Sequence, residues 1–246
     1  MASKFIHLHN HTHYSLLDGL TKIPQLVKRA KEYGMEALAI TDHGVMYGVV
    51  EFYIKCQDVG IKPILGCEIY IAPRRMEDKT PHIDTRPYHL VLLARNLTGY
   101  QNLIQIVTAA NLKGYYYKPR VDKEFLSEHS DGLIALSACL AGEVPRLIMS
   151  GKIDKAKKAI SYYKNLFGED NFYLEVQHHP ELPDQIKVNE VIFKLAKETN
   201  TKVVATNDCH YLEKEDNEAH EVLLAVQTGK DFDDKSRLSM ADIDNS

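Results

Sequence analysis

Nine side chains suited to divalent metals, His9, His11, Asp18, His43, Glu68, His89, Cys139, Asp208 and His210, fall at the ends of what read as successive β-strands. Imidazole, carboxylate and thiolate are the donors that transition metals select, and a sheet closed on itself gathers its strand ends at one mouth. The pattern predicts a multinuclear metal site. Clustered divalent ions suit phosphoester hydrolysis: they bring the pKa of a bound water near neutrality, neutralise phosphate oxygens and stabilise the leaving alkoxide. No serine or cysteine nucleophile is required.

The individual segments carry this reading unequally. In Phe5-Ile6-His7-Leu8-His9-Asn10-His11-Thr12 an extended chain puts His7, His9 and His11 on one face, because strand side chains alternate with period two. Two imidazoles so spaced chelate a single ion; the alternative is a polar strand edge facing solvent. The same spacing recurs far along the chain, at Asp208 and His210. In Ile40-Thr41-Asp42-His43-Gly44, the glycine lets a buried strand bend so that His43 projects over its end. Asp42 reads there as a helix cap or as the partner that orients His43. Glu68 follows an apolar run, where an unpaired carboxylate is costly and one shared between cations is not. Taken singly, His89 and Cys139 are more often core fillers than ligands.

The elements that must position these residues alternate in type. Apolar, β-branched runs at 5–8, 37–41, 62–71, 88–94, 132–137, 171–177 and 202–206 predict seven strands. Apolar residues three and four apart predict helices at 23–33, 45–59, 98–112, 143–149, 153–167, 183–199 and 217–227. Repeated βα units predict an α/β fold with a parallel sheet, and seven or eight of them fit a barrel better than an open sheet. At 246 residues and 44% hydrophobic content, one large domain over 1–231 is expected, followed by a polar tail at 232–246 where the chain is cut short. The charged, proline-containing stretch 73–87 reads as a mobile loop over the mouth.

Composition removes several classes. A net charge of −4 and a pI of about 6.3 are not the overall basic footprint of a duplex-DNA binder, so any nucleic-acid contact is expected to be local. The four cysteines are too few for a disulfide framework and read as reduced thiols. No apolar run approaches the roughly 18 residues of a membrane span, and residues 1–5 hold no stretch of signal-peptide length. No membrane partner is expected, and the cytoplasm is the expected compartment.

The motifs Leu8-His9-Asn10-His11-Thr12, Thr41-Asp42-His43-Gly44, Gly66-Cys67-Glu68 and Asn207-Asp208-Cys209-His210 resemble those of the polymerase and histidinol phosphatase (PHP) superfamily. Tyr14-Ser15-Leu16-Leu17-Asp18-Gly19, Lys113-Gly114-Tyr115-Tyr116-Tyr117-Lys118-Pro119-Arg120 and Ser137-Ala138-Cys139-Leu140-Ala141-Gly142-Glu143 resemble, more closely, the N-terminal PHP domain of bacterial DNA polymerase III alpha subunits. The match covers roughly residues 4–230, and Asp18 and Cys139 stand where the polymerase branch, unlike stand-alone phosphatases, carries aspartate and cysteine.

The resemblance implies a distorted seven-stranded (β/α)7 TIM-like barrel holding three divalent ions, zinc, manganese or iron. By similarity His9, His11, Glu68 and Asp208 hold one ion, Glu68, His89 and Cys139 a second, and Asp18, His43 and His210 a third. Glu68, Asp208 and His210 are then the catalytic residues. The implied reaction is 3′–5′ exonucleolytic proofreading, with a metal-bridging hydroxide attacking a single-stranded or mispaired 3′ DNA end. The implied partners are the remainder of the polymerase subunit and other replisome subunits. The rival readings are a small-molecule phosphoesterase and a metal-stabilised structural module that binds a separate proofreading subunit. Lys118 and Arg120, beside Tyr115, Tyr116 and Tyr117, offer phosphate contacts with stacking platforms, or form a loop that packs on the polymerase. His178 and His179 end a strand, where His178 is the candidate for substrate contact, and His7 is kept as a residue supporting the ligands.

Overall fold

The computed structural model describes residues 5–16, 18–234, 236–241 and 243–246. Leu17 of the 14–19 motif and Lys235 and Asp242 of the polar tail lie outside them. In chain order the elements are α1 (Ile23–Glu32), β1 (Ala37–Ile40), α2 (Val49–Val59), β2 (Lys62–Ile71), β3 (Tyr88–Ala94), α3 (Leu97–Leu112), β4 (Arg120–Val121), α4 (Lys123–Glu128), β5 (Leu133–Leu136), α5 (Glu143–Met149), α6 (Ile153–Phe167), β6 (Phe172–Gln177), α7 (Pro183–Thr199), β7 (Lys202–Thr206) and α8 (Asn217–Thr228). They form two compact units.

The first unit comprises residues 5–42, 47–65 and 207–246. Here β1 lies parallel to the opening of β2, with Ala37 opposite Lys62 and Ile40 opposite Leu65. α1 starts with a proline in its first turn, where a missing N–H costs nothing, and buries Ile23, Leu26, Val27 and Ala30 at helical spacing. Among the described residues of 232–246 there is no helix or strand, yet Tyr211 donates its hydroxyl to the Ile243 carbonyl and Asn245 is buried.

The second unit, 43–46 and 66–206, holds the larger core. Its strands run in the order β2-β3-β5-β6-β7, with β4 also paired to β2. Alternation divides each strand between two environments. Cys67, Ile69 and Ile71 of β2, Leu90 and Leu92 of β3, and Phe172, Leu174 and Val176 of β6 pack against Leu103 and Ile106 of α3, Ile160 and Tyr163 of α6, and Ile192 of α7. The opposite face of the same strands is therefore left for Glu68, Tyr70, His89, Glu175 and Gln177.

The expected α/β class holds and six of the seven expected strands form, with three differences. The sheet is mixed: β3 runs antiparallel to both β2 and β5. No helix lies between β2 and β3 to carry the chain back for a parallel return. Segment 5–8 is extended without being a strand. His7 O accepts from Ala39 N and Asn10 O from Thr41 N, so three residue steps on one side oppose two on the other, a bulge. β4 and α4 were not anticipated; two and six residues are too short for periodicity, and Asp122 caps α4 through Phe125 N at 2.9 Å.

Stretch 73–87, expected to be mobile, is strapped down by Arg120. That side chain is fully buried and donates to the carbonyls of Gly114, Asp84, Met76 and Asp78 at 2.9–3.0 Å. Arg74 grips the buried Asp84 carboxylate through two nitrogens at 3.0 and 2.6 Å and holds its pKa down to about 2. A carboxyl whose folded pKa is depressed contributes stability above its unfolded value, about 3.9, and loses it as pH falls toward the folded value. Between pH 4 and 2 the thermal midpoint of the wild type is expected to fall toward that of Arg74→Ala, measured by circular dichroism. A difference that is constant across this window overturns the assignment.

Candidate metal centre

In the first unit, two extended segments lie side by side: His11 N donates to Cys209 O at 2.7 Å and Cys209 N to His9 O at 3.2 Å. This interleaving brings His9, His11 and Asp208 together. His9 Nε2 lies 3.2 Å from His11 Nε2, and Asp208 Oδ1 lies 3.2 and 3.1 Å from the same two nitrogens. Ligands about 2.1 Å from one ion sit about 3.0 Å apart in octahedral and about 3.4 Å apart in tetrahedral geometry, so the triangle has the dimensions of a coordination shell. Burial alone pushes the Asp208 carboxyl up, but His9, His210 and His11, when their rings are protonated, outweigh this and hold it well below the usual carboxylate range.

The local chain favours lone pairs pointing inward. Ser15 donates its hydroxyl to Asp42 at 3.1 Å, so the 3.0 Å contact between Ser15 Oγ and His11 Nδ1 is donated by the imidazole. That tautomer leaves His11 Nε2 bare toward Asp208. Asp42 also accepts from Thr12 N and Thr12 Oγ1 at 2.6 and 2.9 Å; it anchors the 12–15 turn and does not cap a helix. His210 Nδ1 contacts the Asp208 carbonyl at 2.8 Å, leaving Nε2 toward Asp18 Oδ2 at 3.8 Å. His220 donates to the Asp18 carbonyl at 2.8 Å. Asp208 itself has φ +56°, a left-handed conformation costing about 1–3 kcal/mol outside glycine.

His7 does not share this face. The bulge shifts its phase, and its Nδ1 meets Cys209 Sγ at 3.3 Å. Burial pushes the Cys209 thiol up to about 12, which makes it a neutral thiol.

In the second unit, Glu68 is fully buried and divides its carboxylate: Oε2 lies 2.7 Å from His43 Nδ1 and Oε1 2.9 Å from His89 Nδ1. His43, Glu68 and His89 place one donor atom each within 4.8 Å of one another. Gly44 N donates to Glu68 O at 2.9 Å, and Gly44 has φ +61° with space closed by Pro119 Cγ, 2.5 Å from where a Cβ would stand. Only glycine fits that turn. Cys139 follows Ala138, at φ +62°, and its Sγ stands 3.8 Å from His89 Nδ1.

Several contributors escaped the sequence reading. Tyr70 lies opposite His89 in the register, its ring centroid 5.0 Å from that of His89 and 5.7 Å from that of His43. Its place two residues after Glu68 was the available signal. Lys118 is exposed, with Nζ 5.5 Å from the Tyr70 ring. Arg120, paired with Lys118 in the sequence reading as a phosphate contact, is instead the buried strap described above; its donors are spent on carbonyls. His178 is exposed at the end of β6, whereas His179 is buried. Behind them Glu175 accepts from Gln177 Nε2 at 3.1 Å and Thr206 Oγ1 at 2.5 Å, a buried polar network that no motif announced.

Comparison with known proteins gives this geometry its relatives. A family model described as the PHP domain matches residues 7–179. The chain is 47% identical over 235 residues to DNA polymerase III subunit alpha of Treponema pallidum, a match covering 95% of this chain and 20% of that protein. It is 48% identical over 238 residues to DNA polymerase III subunit alpha of Thermus aquaticus, covering 95% of this chain and 19% of that protein. The chain thus spans about a fifth of the length of these curated relatives. Among solved structures, one described as a candidate metal-dependent phosphoesterase from Bifidobacterium adolescentis matches with a TM-score of 0.56 at 16% identity, over 83% of this chain and 87% of that one. An amidohydrolase from Chromobacterium violaceum matches with a TM-score of 0.50 at 14% identity, over 84% and 87%. At such identities the likeness shows the fold, the one expected from the sequence. With most of its length inside the matched span, the chain belongs to the PHP domain family.

Proposed function

We propose that the chain is a metal-dependent phosphodiesterase that trims single-stranded or mispaired 3′ DNA ends in the cytoplasm, beside the remainder of a polymerase subunit and its replisome partners. The observation that carries this is the convergence of donor atoms within 4.8 Å in His9, His11 and Asp208, and again in His43, Glu68 and His89. The identity of the chain with polymerase alpha subunits supports DNA as the substrate.

His9, His11, Asp208, Glu68, His43, His89, Cys139, Asp18 and His210 are the proposed ligands, for three ions of zinc, manganese or iron. When bound, such ions supply Lewis acidity toward a phosphate and a water acidified toward neutrality. The chain's own residues do the rest. Asp42, through Ser15, fixes the His11 ring, and the Asp208 carbonyl fixes His210. Glu68 holds two imidazoles at one carboxylate, while Lys118 and His178 stand exposed to meet substrate phosphate. Glu68, Asp208 and His210 are the proposed catalytic residues.

A 5′-labelled primer with a mispaired 3′ end tests this directly. Manganese- or zinc-loaded protein is expected to shorten it from the 3′ end, chelation to stop the ladder, and restored metal to return it. A ladder that survives chelation, or none from fully loaded protein, overturns the proposal.

A further inference from the structure

We propose that a second site, a lysine-walled groove beside α6, binds the phosphate backbone of single-stranded nucleic acid. The groove encloses about 550 Å³, and four lysines line it, Lys123, Lys152, Lys155 and Lys158, against one acid, Glu143. That acid is already matched: Lys123 Nζ and the Tyr163 hydroxyl each approach its carboxylate to 2.7 Å. Lys123 is further held over the Tyr162 ring at 4.8 Å. Lys152, Lys155 and Lys158 are exposed, and among the described residues their ammonium groups make no ion pair or hydrogen bond. Their neighbours differ, since Lys157 pairs with Glu198 at 2.7 Å and Lys164 with Glu169 at 2.7 Å. Asp154, the acid of the first turn of α6, contributes weakly to Lys157 and stands one helical turn before Lys158, where it offsets part of the groove's positive charge.

This charge is placed against the helix's own interest. The three lysines occupy the N-terminal half of α6, with Lys152 at its cap, and cations there oppose the helix dipole. An anionic ligand reverses that penalty. Residues 152 to 158 span about 9 Å of helix at a 1.5 Å rise, the length of about three stacked nucleotides at 3.4 Å each. Half-buried Tyr88 and Tyr162 stand in the wall with Arg146 and Lys123 over their rings at 5.4 and 4.8 Å, so recognition rests on the line of three unpaired lysines, whose run matches the successive phosphates of a single strand.

The test is binding of a labelled short oligothymidylate to the full chain in chelator, so that the outcome is independent of hydrolysis. Changing Lys152, Lys155 and Lys158 together to Gln is expected to weaken binding more than about tenfold at low salt and to flatten the log–log salt slope by about 2, at roughly 0.7 per phosphate contact. Lys157→Gln, which removes a cation outside the groove, is expected to change neither. Far-UV circular dichroism verifies that the triple variant keeps its helices. Unchanged affinity and slope in the triple variant overturn the site, and a polyglutamate peptide that displaces the strand as readily as unlabelled oligothymidylate overturns its assignment to nucleic acid.

Discussion

Asp208→Asn is expected to abolish metal-dependent hydrolysis and to empty the first unit's donor triangle of metal, while leaving the fold in place. Asparagine keeps the size of the side chain and tolerates the left-handed backbone at φ +56°, so the change reports on charge and ligation alone. It removes the only anion of the His9–His11–Asp208 set and replaces a carboxylate oxygen by a neutral amide. Losing a partner that merely orients a ligand costs roughly 10- to 100-fold; losing the ligand itself is expected to cost more. Elemental analysis of metal content beside the primer-trimming rate checks this, with near-ultraviolet circular dichroism as the control for fold. Undiminished hydrolysis in Asp208→Asn would remove Asp208 from the site, and full metal content with no hydrolysis would make it a reacting group and not a ligand.

The spacing of His9 with His11 was legible because extended chain has a fixed period, and that pair does converge; Asp208 and His210 come together although Asp208 is left-handed, at φ +56°, and not extended. Buried runs bounded by turns were legible for the same reason: β2, β3, β7, α5, α6 and α7 occupy the expected residues. What was not legible depends on contacts distant in sequence. The bulge that turns His7 away rests on Asn10 giving its amide nitrogen to Ala39 O and its N–H to Thr41 Oγ1, at 2.9 and 2.8 Å. No local pattern in 5–12 encodes a partner some thirty residues on. Asp42, read in sequence as a helix cap or as the partner of His43, accepts from Thr12 and Ser15. The antiparallel β3 follows from a connection whose lack of helix is visible only once 73–87 is seen folded around Arg120. Basic residues in a tyrosine-rich loop look alike in sequence; burial is what separates Lys118 from Arg120.

That separation sets the second large expectation. Arg120→Ala should destabilise the protein by about 3–5 kcal/mol, the loss of several hydrogen bonds from a charged donor at roughly 1.5–3 kcal/mol each, less what water recovers. Four carbonyls lose their donors at once, each unsatisfied buried group costs about 1–3 kcal/mol before water or relaxation recovers part of it, and the cavity adds its own penalty. For a chain of this size about 1 kcal/mol moves the thermal midpoint by roughly 2–4 °C, so a fall of about 10 °C is expected by differential scanning calorimetry. Lysine cannot rescue it, because a single ammonium lacks the planar fork that reaches carbonyls on three segments. A residue that met substrate phosphate would behave in the opposite way, with the midpoint unmoved and the KM for primer raised. If Arg120→Ala keeps its midpoint and only weakens substrate use, the strap is wrong and the original pairing with Lys118 stands.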